Sequence, residues 1–361
     1  MGYRVKYVPF LKAKQNEIRA ISLISKDRLK EIIPFFDIPR SDANNPVEIK
    51  AKIQSAKKTI ERAHKTASFW FYIDVYDIPG DVIIDGSPIY DFVLNEFSGF
   101  STIPVIGLDR DPEHLKSVKK NLGDKIYLAI RLVDDDLISF NLTKRKLEAI
   151  FNQFQDDVVF DLILDCRLIN EHNHAIIAKQ CSQFLDRVDE LPRVADVIVT
   201  SSSIPPLITE LVQSKTSCIF TRYEWELWNN LVFTSAKNVV YGDYTVVSPE
   251  YADTNIPVEL MRNVQCPKVI YTDLDKAFVT RGGALKTNGD AQFYQLAEDV
   301  LNCGHYRKSN YSLGDKYIDD VANKKLTKRL KGGTYITICG SPSKWIETTV
   351  NCHVSFIIDN A

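Results

Sequence analysis

The chain has 361 residues, of which 45% are hydrophobic and 25% are charged, and its formal net charge is −2. This composition is typical of a folded globular protein and excludes a disordered or fibrous chain. The small negative charge does not favour nucleic acid or an anionic membrane surface as a partner. No apolar run reaches the ~20 residues of a membrane span, and the first residues lack the pattern of a signal peptide.

Eight short apolar runs recur along the first two thirds of the chain, each ending on or followed closely by a charged or hydroxyl residue. They cover residues 5–11, 32–36, 69–73, 103–108, 126–130, 158–164, 197–200 and 239–241. Helix-like segments separate most of them, and this alternation is typical of a parallel sheet with helices outside it. Eight such units predict an α/β fold, a closed (β/α)8 barrel of the TIM-barrel type.

The connecting segments carry helical patterns in chain order. Helices are predicted at residues 15–31, 46–65, 88–97, 112–122, 143–154, 173–191 and 203–214. Asp111 is suited to cap the fourth helix, with Pro112 in its first turn. Residues 216–233 hold a short apolar run and then an aromatic segment with Trp225 and Trp228, which we interpret as a connection into a helix beneath the eighth strand.

After residue 248 the alternation stops. We therefore predict the barrel over residues 1–251 and a C-terminal α+β extension over residues 252–361. Strands are predicted in the extension at 268–272, 277–280 and 354–358, with helices at 291–301 and 312–323 and a shorter helical stretch at 344–349. Its elements have few apolar residues each, so we expect it to pack on the barrel, where it could form a lid over the mouth.

The seven cysteines are odd in number and never spaced as CxxC. They are Cys166, Cys181, Cys218, Cys266, Cys303, Cys339 and Cys352. This pattern argues against a zinc ribbon or a disulfide scaffold and suits a reducing cytoplasm. His172 and His174 are two residues apart and would not share a helix face. No metal site is predicted, and no motif identifies a cofactor.

Charged side chains follow the predicted strands, where barrel enzymes keep their active sites. Asp74, Asp165 and Asp243 are the catalytic candidates, joined by His353, which could be a pocket base or a buried structural residue. The ligand-binding candidates are Lys12, Asp37, Arg110, Arg131, Arg167, Ser202 and Arg281. Arginine forks match phosphate oxygens, and paired carboxylates could act as acid and base or hold Mg²⁺. The alternative is that these residues form salt bridges that close the mouth.

Two details of this rim give specific hypotheses. Ser201, Ser202 and Ser203 precede a predicted helix led by two prolines, so they could bind phosphate at its N-terminus or simply cap it. Arg131 and Arg167 follow neighbouring strands and could grip one anionic group between them, with Asp165 orienting Arg167. No HExxH, GxSxG, GxxxxGK[ST] or GxGxxG motif occurs.

The opening YVPFLKAKQNEIRAI, followed by IIPFFDIPR, resembles the start of the bacterial and phage "beta protein" family. The matching residues are Tyr7, Pro9, Leu11, Lys12, Lys14, Glu17, Pro34 and Asp37. Later blocks also resemble the family: residues 281–283 and 292–294, Ser312-x-Gly314-Asp315, Trp345, and Asn351-Cys352-His353. The family usually has Asn-His-His at the last of these, so Cys352 is a departure. The resemblance implies one co-evolved unit and, by association, a role in conflict between phage and host.

Two functions from different classes follow. The first is an enzyme or sensor that binds a phosphorylated or nucleotide-like ligand at the barrel mouth, with hydrolysis as its chemistry if it is catalytic. The second is a non-catalytic module that uses the barrel as a scaffold to recognise another protein. The rim of aspartates and arginines favours the first, and the absence of a known catalytic motif favours the second.

Overall fold

The structure is a computed structural model, and it describes residues 5–234, 238–252, 265–331 and 334–361. The chain divides into two compact units. The first contains the residues up to Ser202, Tyr223–Tyr244 and Ala361, and the second contains Ser203–Arg222 and Thr245–Asn360. A segment of 20 residues that lies between two barrel strands in sequence therefore groups with the C-terminal region.

The first unit is built on a closed barrel of parallel strands in sequence order. The strands are β1 (Tyr7–Lys12), β2 (Phe35–Asp37), β3 (Phe71–Asp74), β6 (Thr102–Gly107), β7 (Tyr127–Val133), β8 (Val159–Leu168), β9 (Val194–Ser202) and β11 (Val239–Asp243). The barrel closes where β1 pairs with β11. A short hairpin of β4 (Ile83–Ile84) and β5 (Ser87–Pro88) follows β3. The predicted TIM-barrel-like (β/α)8 fold is confirmed.

Helices cover the outside of the strands. They are α1 (Gln15–Ser22), α2 (Lys26–Leu29), α3 (Pro46–His64), α4 (Ile89–Glu96), α5 (Pro112–Lys120), α6 (Phe140–Phe151), α7 (His174–Leu185) and α8 (Tyr223–Thr234). Asp111 caps α5 by accepting a hydrogen bond from the His114 N–H at 3.1 Å, as predicted. The single helix predicted at 15–31 is two helices, because Ser25 has an extended backbone between them.

Strand alternation sorts the side chains of the barrel into two layers. Phe160 of β8 packs outward on Phe151 at the end of α6, with ring centroids 4.8 Å apart. Asp165 of the same strand contacts Arg131, which also reaches Asp37 on β2. Strands β7 and β2 are not neighbours, so this contact crosses the barrel interior. The interior at the carboxyl ends of the strands is therefore polar.

The helix predicted at 203–214 is wrong. Only a three-residue 3₁₀ turn, Ile208–Glu210, forms there, and the chain then enters β10 (Thr216–Thr221). Pro205 and Pro206 disfavour helical backbone at residues 204 and 205, so the predicted helix cannot begin where it was expected. Strand β10 pairs antiparallel with β13 (Lys276–Arg281), so this segment adds a strand to the second unit.

The second unit is a three-stranded antiparallel sheet with helices. The sheet has the order β10, β13 and β12 (Lys268–Thr272). Its other elements are α9 (Leu285–Asn288), α10 (Gln292–Asn302), α11 (Leu313–Ala322), α12 (Pro342–Asn360) and a ribbon of β14 (Thr327–Arg329) and β15 (Tyr335–Thr337). Its core includes Val269, Phe293, Ile318 and Trp345. The predicted strands at 268–272 and 277–280 and the helices at 291–301 and 312–323 are confirmed.

The predicted last strand at 354–358 is wrong, because residues 342–360 form the single helix α12. The run Val-Ser-Phe-Ile-Ile has the β-branched and aromatic residues of a strand. In the structure, however, every residue of α12 from Glu347 to Ile358 is buried, and a helix buried on all sides shows no amphipathic pattern. Of the helices in the described ranges, none combines the length and apolar character that a bilayer crossing requires.

Asp161 is a buried acidic residue at the amino-terminal side of the barrel interior. It precedes Asp165 by four residues on β8, and its Oδ2 accepts a hydrogen bond from the Tyr72 hydroxyl at 2.8 Å. Burial, and then the charge of Asp196, raises the pKa of Asp161 to about 6 from an ordinary value of 3.8. The fold therefore favours the protonated carboxyl.

Asp161→Asn is expected to stabilise the protein at pH 8 but not at pH 4. A folded-state pKa above the ordinary value means that stability is lost as the pH rises from about 4 through 6. Asparagine stays neutral and keeps an acceptor for Tyr72, so the gain at pH 8 should be about 1–3 kcal/mol. Urea unfolding at both pH values measures it, with the exposed Asp156→Asn as the control. No gain at pH 8 would contradict the raised pKa.

Candidate functional site

Arg131 lies at the centre of the carboxyl-terminal mouth of the barrel. Its Nε and Nη2 both donate to Asp165 Oδ2, at 2.9 and 2.7 Å. Its Nη1 donates to Asp37 Oδ1 and to Asp74 Oδ2, each at 3.0 Å. Its Nη2 also donates to the Tyr244 hydroxyl at 2.9 Å. A guanidinium has five N–H donors, and all five are used here.

This geometry corrects the expectation that Arg131 grips a ligand. The side chains of Arg131, Asp74 and Asp165 are each 0% exposed, and no N–H of Arg131 remains for another acceptor. Arg131 forms salt bridges with both aspartates, which is the alternative to ligand binding that the sequence left open. Asp74 and Asp165, the first two catalytic candidates, are therefore held in the interior as partners of arginine rather than presented to a substrate.

Lys12 links this network to a second carboxylate. Its ammonium lies 3.3 Å from Asp37 Oδ2 and also contacts Asp77. Burial would raise the pKa of Asp37, but Arg131 and Lys12 outweigh it and hold that pKa at about 2. Burial, and then the charge of Asp37, raises the pKa of Asp77 above its ordinary value. Two carboxyl groups that share one lysine thus have pKa values displaced in opposite directions, a pattern found in acid–base pairs.

The ring of Tyr76 makes cation–π contacts with three arginines. The guanidinium carbon of Arg131 lies 4.2 Å from its centroid, and those of Arg110 and Arg167 each lie 4.6 Å from it. Arg110 also bonds Asp74 at 3.0 Å and Asp109 at 3.3 Å. Unlike Arg131, the side chain of Arg110 keeps 13% of its surface exposed, and Arg167 and Tyr76 are half-buried.

Arg167 has a strained backbone at the end of β8. Its φ is +52°, in the left-handed region that non-glycine residues rarely adopt, and the pairing of β8 with β9 shifts register between Asp165 and Leu168. The Arg167 N–H donates to Asp165 Oδ1 at 3.0 Å, which holds this conformation. Its guanidinium reaches the Tyr244 hydroxyl at 3.4 Å. Backbone strain of this kind is concentrated at functional sites.

Tyr76 and Tyr244 are site residues that the sequence reasoning missed. The Tyr244 hydroxyl donates to Asp165 Oδ2 at 2.6 Å and accepts from Arg131. Its only signal in the sequence is its place directly after the eighth strand. Tyr76 lies two residues beyond Asp74, in a loop that shows no pattern.

Asp243 lies on the face of β11 that is turned away from the barrel interior. The ring of Tyr241 packs on Trp225 and Trp228 of α8, at 5.1 and 5.3 Å, so β11 turns this face toward the helices. Asp243 is two residues further along and shares the face. Its carboxylate accepts hydrogen bonds from the hydroxyls of Tyr7 at 2.6 Å and Tyr241 at 2.9 Å. Asp243, the third predicted catalytic aspartate, therefore does not join Asp74 and Asp165 in the barrel interior.

Ser201 and Ser202 lie in strand β9, and Ser203 follows its last residue. Ser202 is buried, and its carbonyl accepts from the Ile169 N–H at 2.9 Å. The predicted helix N-terminus beyond it does not form, so the phosphate hypothesis loses the helix on which it depended. The side-chain hydroxyls of Thr200 and Ser201 are buried without hydrogen-bond partners among the described residues.

Two predicted site residues belong to the second unit. His353 is 1% exposed, and its Nδ1 lies 2.7 Å from the Thr272 hydroxyl. Arg281 donates from Nη1 to the Val212 carbonyl at 3.1 Å. His353 thus has the surroundings of a buried structural histidine.

Two of the later family-like blocks, residues 312–315 and 351–353, meet inside the second unit. The Gly314 N–H donates to Asn351 Oδ1 at 2.8 Å. The Ser312 hydroxyl caps α11 by accepting from the Asp315 N–H at 3.0 Å. Asp315 also accepts from the Tyr271 hydroxyl. Burial raises the pKa of the Cys352 thiol well above its ordinary value, so this cysteine suits packing rather than nucleophilic attack.

Within the described ranges, no group of three or more His, Cys, Asp or Glu side chains is arranged to hold a metal ion. Two solved structures are remotely similar to the chain. A fungal beta-1,4-galactanase structure is 10% identical with a TM-score of 0.37, over 68% of this chain and 90% of its own. The spore cortex-lytic enzyme SleL of Bacillus cereus is 9% identical with a TM-score of 0.30, over 97% of this chain and 75% of its own. Likenesses this weak assign no activity.

No curated protein matches the chain. A family model does match, and its description is "Beta protein". The match covers residues 7–359, which is nearly the whole chain and includes both compact units. The chain belongs to the Beta protein family.

Proposed function

We propose that the carboxyl-terminal mouth of the barrel binds a small anionic ligand, phosphorylated or nucleotide-like, through Arg110 and Arg167. The observation that carries the proposal is the pair of half-buried guanidinium groups at 4.6 Å from the Tyr76 ring centroid. A planar guanidinium fork matches two oxygens of a phosphate. The ring of Tyr76 orients both forks, which lowers the entropy lost on binding.

The buried network beneath this pair has a supporting role in the proposal. Arg131 is already neutralised by three aspartates, so it fixes Asp74 and Asp165 without competing for the ligand. Asp74 bonds Arg110, and the Asp165 carboxylate holds the Arg167 backbone. Both ligand-facing arginines are thus anchored to the same central residue through one carboxylate each.

Hydrolysis of the ligand would need a proton donor, and Asp77 is suited to it. Its raised pKa lets the carboxyl keep a proton to higher pH than an ordinary aspartate. The neighbouring Asp37 stays ionised, with a pKa of about 2. Asp77 therefore carries the acid role that Asp74, Asp165 and Asp243 were expected to share.

Arg167→Gln is expected to weaken binding of ADP about 10- to 100-fold, because one charge-assisted pair of hydrogen bonds contributes about 1.5–3 kcal/mol. Wild-type protein at 100 times its Kd should gain about 2.7 kcal/mol of stability from the ligand. Thermal unfolding with and without ADP measures both effects.

Arg187→Gln is the matched control for this test. Arg187 also belongs to the first unit and bonds a carboxylate, Glu190 at 2.7 Å, but its side chain is 40% exposed and takes no part in the mouth. It should leave the ligand effect unchanged. If ADP stabilised wild type and Arg167→Gln equally, the proposed binding site would be wrong. Loss of protection against phage in cells that express Arg167→Gln would connect the site to the setting that the family resemblance implies.

A further inference from the structure

Arg307, in the second unit, is a half-buried arginine, and two of the three nitrogen atoms of its guanidinium have no hydrogen-bond partner among the described residues. Its Nη1 donates to the Thr272 carbonyl at 2.5 Å. Its Nε and Nη2 are buried, and neither has a hydrogen-bond partner within the described part of the chain. No described carboxylate forms an ion pair with it, although burying an unpaired charge is costly. The two unused atoms lie on the same edge of the guanidinium, the edge that forms side-on forks with two-oxygen anions.

Three aromatic rings hold this guanidinium in place. Its central carbon lies 4.1 Å from the centroid of Tyr271, 4.4 Å from that of Phe356 and 5.3 Å from that of Tyr311. The backbone is fixed as well, because the Arg307 N–H donates to the Tyr271 hydroxyl at 3.1 Å. That hydroxyl in turn donates to Asp315. The fork is therefore set in one orientation before any ligand arrives.

We propose that the Nε and Nη2 edge of Arg307 binds a two-oxygen anionic group, a phosphate or a carboxylate, at a site within the second unit. The anion would pair the two donors and neutralise the buried charge together. Tyr311 is the entry point in this proposal, because it is the half-buried and most distant ring of the three. Rotation of its side chain would admit the anion to the fork.

The aromatic rings also limit which anions fit. Cation–π contact occupies the faces of the guanidinium, so only its edge is open to a ligand. A flat carboxylate or one edge of a phosphate can lie in the plane of that edge. A metal cation is excluded by charge, and a neutral apolar group would leave both donors unpaired.

The test is a titration of the wild-type protein with inorganic phosphate and, separately, with acetate, followed by the arginine Nε–H resonances in ¹H–¹⁵N spectra. The Arg307 resonance should shift and saturate with at least one of the two anions, and the more effective anion names the class. Arg307→Lys keeps the charge but removes the fork, so the affinity, followed in both proteins by the backbone amide resonance of residue 307, should fall at least tenfold.

Arg167→Gln separates this site from the barrel mouth. It should leave the shift of the Arg307 resonance unchanged, and Arg307→Lys should leave ADP binding at the mouth unchanged. An Arg307 resonance that stays still up to saturating phosphate and acetate would overturn the proposal, even if the lysine variant does not fold. Equal affinity in wild type and Arg307→Lys would overturn it as well.

Discussion

Replacing Arg131 by alanine is expected to lower the free energy of unfolding by about 3–5 kcal/mol, the usual cost of removing one partner from a buried ion pair. The reason is that Asp37, Asp74 and Asp165 would remain in the barrel interior without the cation that they share. The stability of Arg131→Lys should lie between those of the wild type and Arg131→Ala, because an ammonium restores the charge but not the five N–H donors of the guanidinium. Urea unfolding at pH 7 measures all three proteins.

Arg62→Ala is the control for this prediction, since Arg62 is exposed on α3. A surface substitution of this kind should change stability by no more than about 0.5 kcal/mol. If Arg131→Ala were as stable as Arg62→Ala, the buried network would not hold the barrel mouth, and the support it gives to Arg110 and Arg167 would lose its basis.

Gly314→Ala is expected to destabilise the second unit by about 1–3 kcal/mol. A Cβ at this position would lie 2.5 Å from the Thr348 carbonyl oxygen and 2.6 Å from Cys352 Sγ. The backbone oxygen belongs to α12, which is buried along most of its length and cannot move away cheaply. The better helix propensity of alanine, about 1 kcal/mol, offsets only part of this overlap.

Gly99→Ala provides the comparison, because a Cβ there would meet no heavy atom within 4 Å. Gly99→Ala should have nearly the stability of the wild type when both glycine variants are compared with it by thermal unfolding. A Gly314→Ala protein as stable as Gly99→Ala would mean that α11 and α12 do not approach as closely as the structure has them. The prediction also explains why glycine stands in the Ser312-x-Gly314-Asp315 block.

The barrel could be predicted because its evidence is local. Each strand is a short apolar run with its own flanking signals, and eight of them in alternation with helices leave few other folds. The last helix could not be predicted in this way. Val354, Phe356, Ile357 and Ile358 favour a strand by propensity, and only burial on every side of α12 makes the helix stable.

The candidate site was predictable in position but not in the roles of its residues. Strand ends pointed to Asp74, Arg131 and Asp165, yet nothing in the sequence tells that Arg131 reaches across the barrel to Asp37 and uses every donor there. The outward turn of Asp243 depends on the register of β11, and one residue of register reverses the face.

The segment between β9 and α8 shows a further limit. Residues 203–222 carry strand β10, which pairs with β13 more than 50 residues later in the chain. Pairings between distant strands leave no periodic mark in either segment, so the division of the chain into units could not be read from composition.

The central claim is that Arg110 and Arg167 bind an anionic ligand at the barrel mouth, and calorimetric titration with ADP tests it most directly. Wild-type protein should show saturable binding there. The double variant Arg110→Gln/Arg167→Gln should lose that binding while keeping the wild-type unfolding free energy to within about 1–2 kcal/mol, since both side chains are partly exposed. A folded double variant that binds ADP with the heat and affinity of the wild type would contradict the claim.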